Sequence, residues 1–209
     1  MIFDFWTVRI AVVCTLVFLL QVAYPPLTDY LVLSSSTVLY QPWTLVTSIF
    51  AHASFEHIFF NMFGLFLFGM LLENIIGGRR WLQIFFAAGL LGGLIGLPFY
   101  DATLGASGAI FGIIGALGML RPRMTVYLGY VPMPMAIAVI IWAASDIFGF
   151  FFPSDIANVA HLAGLVVGLA AGWKLRERFG EVASAVRKYS DGIPESAWRR
   201  WENRYLRRH

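Results

Sequence analysis

The chain has 209 residues, 59% of them hydrophobic and 13% charged, where a soluble domain carries about 25% charge. That excludes an ordinary soluble domain and describes a polytopic membrane protein with one membrane domain. The single cysteine, Cys14, excludes an internal disulfide framework and a cysteine-based metal cluster.

A spanning helix needs roughly 20 mostly apolar residues, and six stretches qualify: 6–24, 55–72, 80–98, 106–120, 134–152 and 157–174. The first has only Arg9 as a basic residue and lacks an A-x-A site in "QVAYPP", so it reads as a retained helix and not a cleaved signal. The link at 25–54 contains "VLYQPWTLVTSIFAHASF", too apolar for a solvated linker. Backbone at membrane depth must be buried in protein or wet, so this loop is expected to dock on the bundle or lie in the interface. Tyr40 and Trp43 suit the headgroup level. An external loop with no role is the alternative.

Glycines recur at helical spacing: Gly105, Gly108, Gly112 and Gly115 in the fourth segment, and Gly164, Gly168 and Gly172 after Ala160 in the sixth. Small residues so spaced let helix backbones approach closely. With few bulky residues, the fourth helix is expected to be central. The fifth segment, "MAIAVIIWAASDIFGFFF", contains an acid, Asp146, for which a helix–helix hydrogen bond is the default reading. Residues 1–175 form the predicted membrane domain and 176–209 a basic tail, either amphipathic helix on the membrane surface or solvated chain. From Lys174 on there are ten bases and five acids, with breakers at Gly192 and Pro194.

Placing successive loops on alternate sides puts Arg9, Arg79, Arg80, Arg121, Arg123 and the bases of the tail on one side. The positive-inside rule then makes both termini cytoplasmic and the location a cell membrane. The opposite loops carry Asp29, Asp101 and Asp155. The net charge of +3 follows from topology and does not imply nucleic acid.

Helices two, four and six run in the same direction in this topology. Their outer ends carry His57 and Asn61, Ser107, and His161, respectively. Polar groups inside a bilayer are costly and mark function. A serine and a histidine at one depth suggest a nucleophile and its general base. No third acidic member is evident beside His161, so a dyad is the simpler expectation. An oxyanion would need donors, available from the Ser107 N–H at a helix start, the His57 imidazole and the Asn61 amide. Gly105 and Gly108 would let a substrate backbone approach, and Phe111, one turn on, could pack on the His161 ring. The other readings are a packing serine, a His57–Asn61 polar clamp, and zinc on His52, His57 and His161. H-E-x-x-H is absent and no carboxylate is suitably spaced, which argues against zinc.

Together these residues resemble the rhomboid family of intramembrane serine proteases. G-x-S-G is Gly105-Ala106-Ser107-Gly108, H-x-x-x-N is His57 to Asn61 with His52 before it, and A-H-x-x-G is Ala160-His161-Leu162-Ala163-Gly164. "WTLVTSIFAHASFEHIFFNM" and "LLENIIGGRR" are similar to the family's loop-to-helix signature and inner turn. Thr44 departs from an arginine found in many members. The resemblance implies an all-α, six-transmembrane-helix bundle with a partly embedded loop after helix one. It implies Ser107 as nucleophile, His161 as base, and His57, Asn61 and the Ser107 N–H as oxyanion hole. His52, Gly105, Gly108, Phe111 and Gly164 would be supporting residues. The implied activity is cleavage of transmembrane segments near the outer face through an acyl-enzyme, without a cofactor or metal, with helix five as a lateral gate. A non-catalytic membrane chaperone on the same scaffold is the alternative, and a small transporter is disfavoured by the apolar inner halves of helices two, four and six.

Overall fold

The computed structural model describes residues 5–152, 156–192 and 196. The expectations that fall on Asp155, Pro194 and His209 lie outside these. The chain divides into two compact units, Met1–Trp173 and Lys174–His209.

Helix α1 spans Trp6–Ala23 and buries Val8, Ile10, Ala11 and Cys14. Its N-cap, Phe5, offers no side-chain acceptor. The work is done by Glu73, whose carboxylate accepts from Trp6 N (2.8 Å), Thr7 N (2.9 Å) and Thr7 Oγ1 (2.8 Å). A negative group on unpaired N–H donors at a helix start is the favourable placement.

The link after α1 belongs to the first unit. It contains α2 (Leu27–Leu31), the short strand β1 (Leu33–Ser34) and α3 (Thr44–Thr47). Leu33, Ile49, Ala51 and His52 are buried, whereas Leu39 and Tyr40 stand exposed. Gln21 of α1 ties the link down, accepting from His52 N at 3.0 Å and donating to Thr28 Oγ1 at 3.1 Å. Thr44 is fully buried and donates its hydroxyl to Gln41 O at 2.6 Å.

Helix α4 (Phe55–Gly64) starts at Ser54, whose Oγ accepts from His57 N at 3.1 Å, a standard N-cap. It passes through a π-helical turn, Leu65–Gly69, into α5 (Met70–Ile76). Gly77, at φ +79°, ends that run in a conformation side chains disfavour. Helix α6 (Gly78–Gly96) follows directly, so Arg79 and Arg80 lie in its first turn. Arg80 reaches back to the Ile76 carbonyl at 3.0 Å.

Strand β2 (Ala102–Thr103) pairs antiparallel with β1, Leu33 opposite Thr103. Helix α7 (Ser107–Leu120) is central: it packs on α4, α5, α6, the π turn and the later helix α8. Nearly every residue from Gly108 to Leu120 is buried. Strands β3 (Thr125–Leu128) and β4 (Val131–Pro134) form a hairpin turning at Gly129, φ +61°, and Tyr130. Two ribbons thus correct the all-α expectation to a predominantly helical fold. Pro132 and Pro134 lack donors for a further ladder, which keeps the second ribbon small.

Helix α8 is Met135–Phe150 and α9 is Asn158–Gly192. A helix therefore lies over each apolar stretch. Among the described residues three are long and apolar enough to cross a membrane: Trp6–Ala23, Phe55–Ile76 and Asn158–Arg176. Ser107–Leu120 and Met135–Phe150 are shorter apolar helices.

The glycine stripes close the packing. A Cβ at Gly164 would strike Gly108 O, and one at Gly168 would strike Gly112 O. One at Gly112 would strike the Ala88 Cβ of α6, and one at Gly92 would lie 2.8 Å from Ala160 O. Backbones of α6, α7 and α9 thus meet where side chains would hold them apart.

Candidate active site

Three helices bring the polar residues together. Ser107 is the first residue of α7, after the N-cap Ala106. The first intrahelical bond runs from Ile110 N to Ala106 O at 3.0 Å, so the helix does not engage the Ser107 N–H. His161 lies one turn into α9, whose start is steadied by Tyr100 Oη accepting from Val159 N at 3.1 Å. The glycine contacts set the height of α9 against α7. At that height Ser107 Oγ lies 2.8 Å from His161 Nε2.

The His161 ring is held on two further sides. Phe111 stacks on it with centroids 4.4 Å apart and planes 10° from parallel. Its Nδ1 lies 3.1 Å from Asp146 Oδ1 of α8. The default reading of Asp146 as a helix–helix hydrogen bond is therefore correct, and the partner is the candidate base. The expectation that no acid stands beside His161 is corrected. Asp146 and His161 are fifteen positions apart in sequence, across the α8–α9 link, where no local spacing rule applies.

His57 and Asn61 enter from α4. Ala53 N approaches His57 Nδ1 at 3.5 Å, a long contact that makes Nδ1 the acceptor and leaves the ring proton on Nε2. That Nε2 overlies Gly105, where a Cβ would lie only 2.7 Å away. Gly105 adopts φ +117° and donates its N–H to Ser48 O at 2.8 Å. The space over Gly105 is thus taken by the imidazole. Gly108 abuts Ala160 O, at 3.5 Å from an added Cβ, and its own carbonyl meets Gly164. Asn61 is buried, and its Nδ2 donates to His57 O at 2.8 Å. An amide nitrogen has two hydrogens, so one remains.

His52 sits behind His57, rings edge-on with centroids 5.1 Å apart. Its Nδ1 contacts Phe50 O at 3.1 Å. Burial, aided by the neighbouring His57, pushes the His52 pKa down to about 4, which keeps this ring neutral. Among the described residues no group of three or more His, Cys, Asp or Glu side chains is placed to hold a metal ion.

Residues 40–178 match the family model of the rhomboid domain. The chain belongs to the rhomboid family. The matched region contains every rhomboid-type position named above, from His52 to Gly164. Relatives include YdcA of Bacillus subtilis (strain 168), 33% identical over 129 residues, with 60% of this chain and 63% of YdcA covered. Rhomboid protease GluP of the same organism is 34% identical over 131 residues, covering 62% of this chain and 25% of GluP. Rhomboid protease GlpG of Salmonella choleraesuis (strain SC-B67) is 31% identical over 135 residues, covering 63% and 48%. The chain thus spans less than two thirds of each of these relatives. With its apolar helices, this rhomboid is an integral membrane protein.

Proposed function

We propose that this chain is an intramembrane serine endopeptidase that cleaves transmembrane segments of other proteins near the outer face of the bilayer. The observation that carries it is the 2.8 Å contact of Ser107 Oγ with His161 Nε2 at the start of a buried helix. Rhomboid proteases among the relatives support the same reaction class.

The Ser107 hydroxyl donates to His161 Nε2, so the resting ring carries its proton on Nδ1. As Ser107 Oγ attacks a scissile carbonyl, its proton passes to Nε2. The C–O bond forms while the carbonyl electron pair moves onto oxygen. Three donors are available to that oxyanion: the Ser107 N–H, the His57 Nε2–H over Gly105, and the second hydrogen of Asn61 Nδ2. Each well-placed donor is worth about 3–4 kcal/mol. Collapse breaks the C–N bond, and Nε2–H protonates the leaving amine. Water activated by the same nitrogen then hydrolyses the acyl-enzyme.

The reading extends to six spans, with both termini and the basic residues on the cytoplasmic side, and to a membrane domain of 1–175 followed by the tail 176–209. No cofactor enters the scheme. The substrate is a membrane-embedded segment that must unwind locally, since a helix hides its carbonyls in i→i−4 bonds.

The test is labelling of purified protein by a fluorophosphonate, together with cleavage of a model transmembrane substrate. Labelling of Ser107 is expected, with cleavage lost in Ser107→Ala and His161→Ala. Absence of labelling in folded protein that still binds the substrate would support the non-catalytic chaperone.

A further inference from the structure

We propose that Asp146 is a positioning residue that orients His161, giving the proposed dyad a third, acidic partner supplied by α8. This rests on the protease reading.

Asp146 is 6% exposed. A carboxyl group on an apolar helix is expensive, and this one faces the ring with Oδ1 at 3.1 Å from Nδ1. The stack of Phe111 on His161 fixes the plane of the ring but leaves rotation within that plane open. Anchoring Nδ1 removes that freedom. It also selects the tautomer, since an Nδ1–H that donates to a carboxylate leaves Nε2 bare to accept from Ser107. When Nε2 takes the serine proton, the ring becomes a cation in surroundings poor in water. An adjacent carboxylate opposes that cost more strongly there than in bulk water. Asp146 Oδ2 is buried without a partner, so binding to His161 is the visible use of this group.

The helices that meet at His161 are thus unequal. α7 and α9 bring the reacting pair, and α8 brings the group that aims it.

The experiment follows the time course of fluorophosphonate labelling of Ser107 in the full chain for wild type, Asp146→Asn and Asp146→Leu. A misaimed base lowers the rate constant and spares the end point, whereas misfolding lowers the end point. Asp146→Leu is expected to slow labelling on the order of 100-fold, and Asp146→Asn, which keeps an acceptor but no charge, about tenfold. Substrate cleavage should lose kcat in the same order with KM little changed. In the ¹⁵N spectrum of the histidine rings, wild type should show His161 protonated at Nδ1 and bare at Nε2, and Asp146→Leu a mixture of tautomers. A wild-type labelling rate in Asp146→Leu, a loss confined to the end point, or an unchanged His161 spectrum would each overturn the proposal. A tautomer change in protein that never labels would sink the protease reading and still support Asp146 as the group that orients the ring.

Discussion

The two edges of α7 that frame the site are built differently. Toward α9 the contact is backbone on backbone, Gly108 and Gly112 against Gly164 and Gly168, with no room for a side chain. Toward α8 the contact is made by side chains. Val139 fills the space over Gly118, and farther along Trp142 meets Phe68 of the π turn edge-on at 5.5 Å. The outer surface of α8 is apolar and exposed at Ile140, Ile147 and Phe148. A glycine seam allows one separation between helices, whereas side-chain packing can yield by rotamer changes. The proposed reacting pair, Ser107 and His161, stands on the unyielding edge.

Four changes separate the edges. The largest effect is expected from Gly168→Val, whose added carbons would overlap Gly112 O. Overpacking costs about 1–3 kcal/mol where neighbours can shift, and backbone cannot, so a loss at or above the upper end is expected. It should be read as a collapsed labelling end point and a lower unfolding midpoint. Val139→Ala on the other edge should leave the end point intact. Next comes Phe111→Ala. Removing a stacked ring worth about 1 kcal/mol should slow Ser107 labelling roughly five- to tenfold at an unchanged end point. Trp142→Leu keeps bulk but removes the ring pair on the α8 edge. It should cost about 1 kcal/mol in reversible unfolding and leave the labelling rate within twofold.

The smallest effect is one of pH and lies on neither edge. His52, with its pKa lowered to about 4, stays neutral when folded but takes a proton in the unfolded chain below about pH 6.5. Stability is therefore full above that value and falls as pH drops toward 4. The expected loss is about 0.8 kcal/mol between pH 7.5 and 6. His52→Gln should flatten this slope, and an unchanged slope would assign it elsewhere.

Much of this arrangement was legible in the sequence because it repeats at helical spacing. The glycine stripes announced the α7–α9 seam, and four polar residues near the starts of three helices pointed to the candidate site. Helix ends were less legible. The sixth helix continues past its apolar stretch to Gly192 because Lys, Arg, Glu and Ala propagate helix well without lipid. The third starts at Gly78, so charges read as a loop belong to a first turn. Contacts between distant segments were not legible. Glu73 capping α1, His57 lying over Gly105, and Asp146 reaching His161 depend on how helices are set against each other. No periodicity within one helix reports that. The β3–β4 hairpin was missed because a glycine–tyrosine turn flanked by prolines gives a weak strand signal.

The π turn between α4 and α5 acts on angular phase. In a uniform α-helix at about 100° per residue, Asn61 and Glu73 would point about 120° apart. A π turn absorbs one residue, and the difference shrinks to about 20°. One side of the 55–76 rod then carries both Asn61, toward the site, and Glu73, toward the start of α1. Rewinding 65–69 as plain α-helix at unchanged length would swing one of these away from its station, whereas deleting a single residue there would remove the π turn and keep both on one side. Five apolar residues with no polar chemistry of their own thus keep the reading frame between the proposed oxyanion donors and the anchor of the first helix.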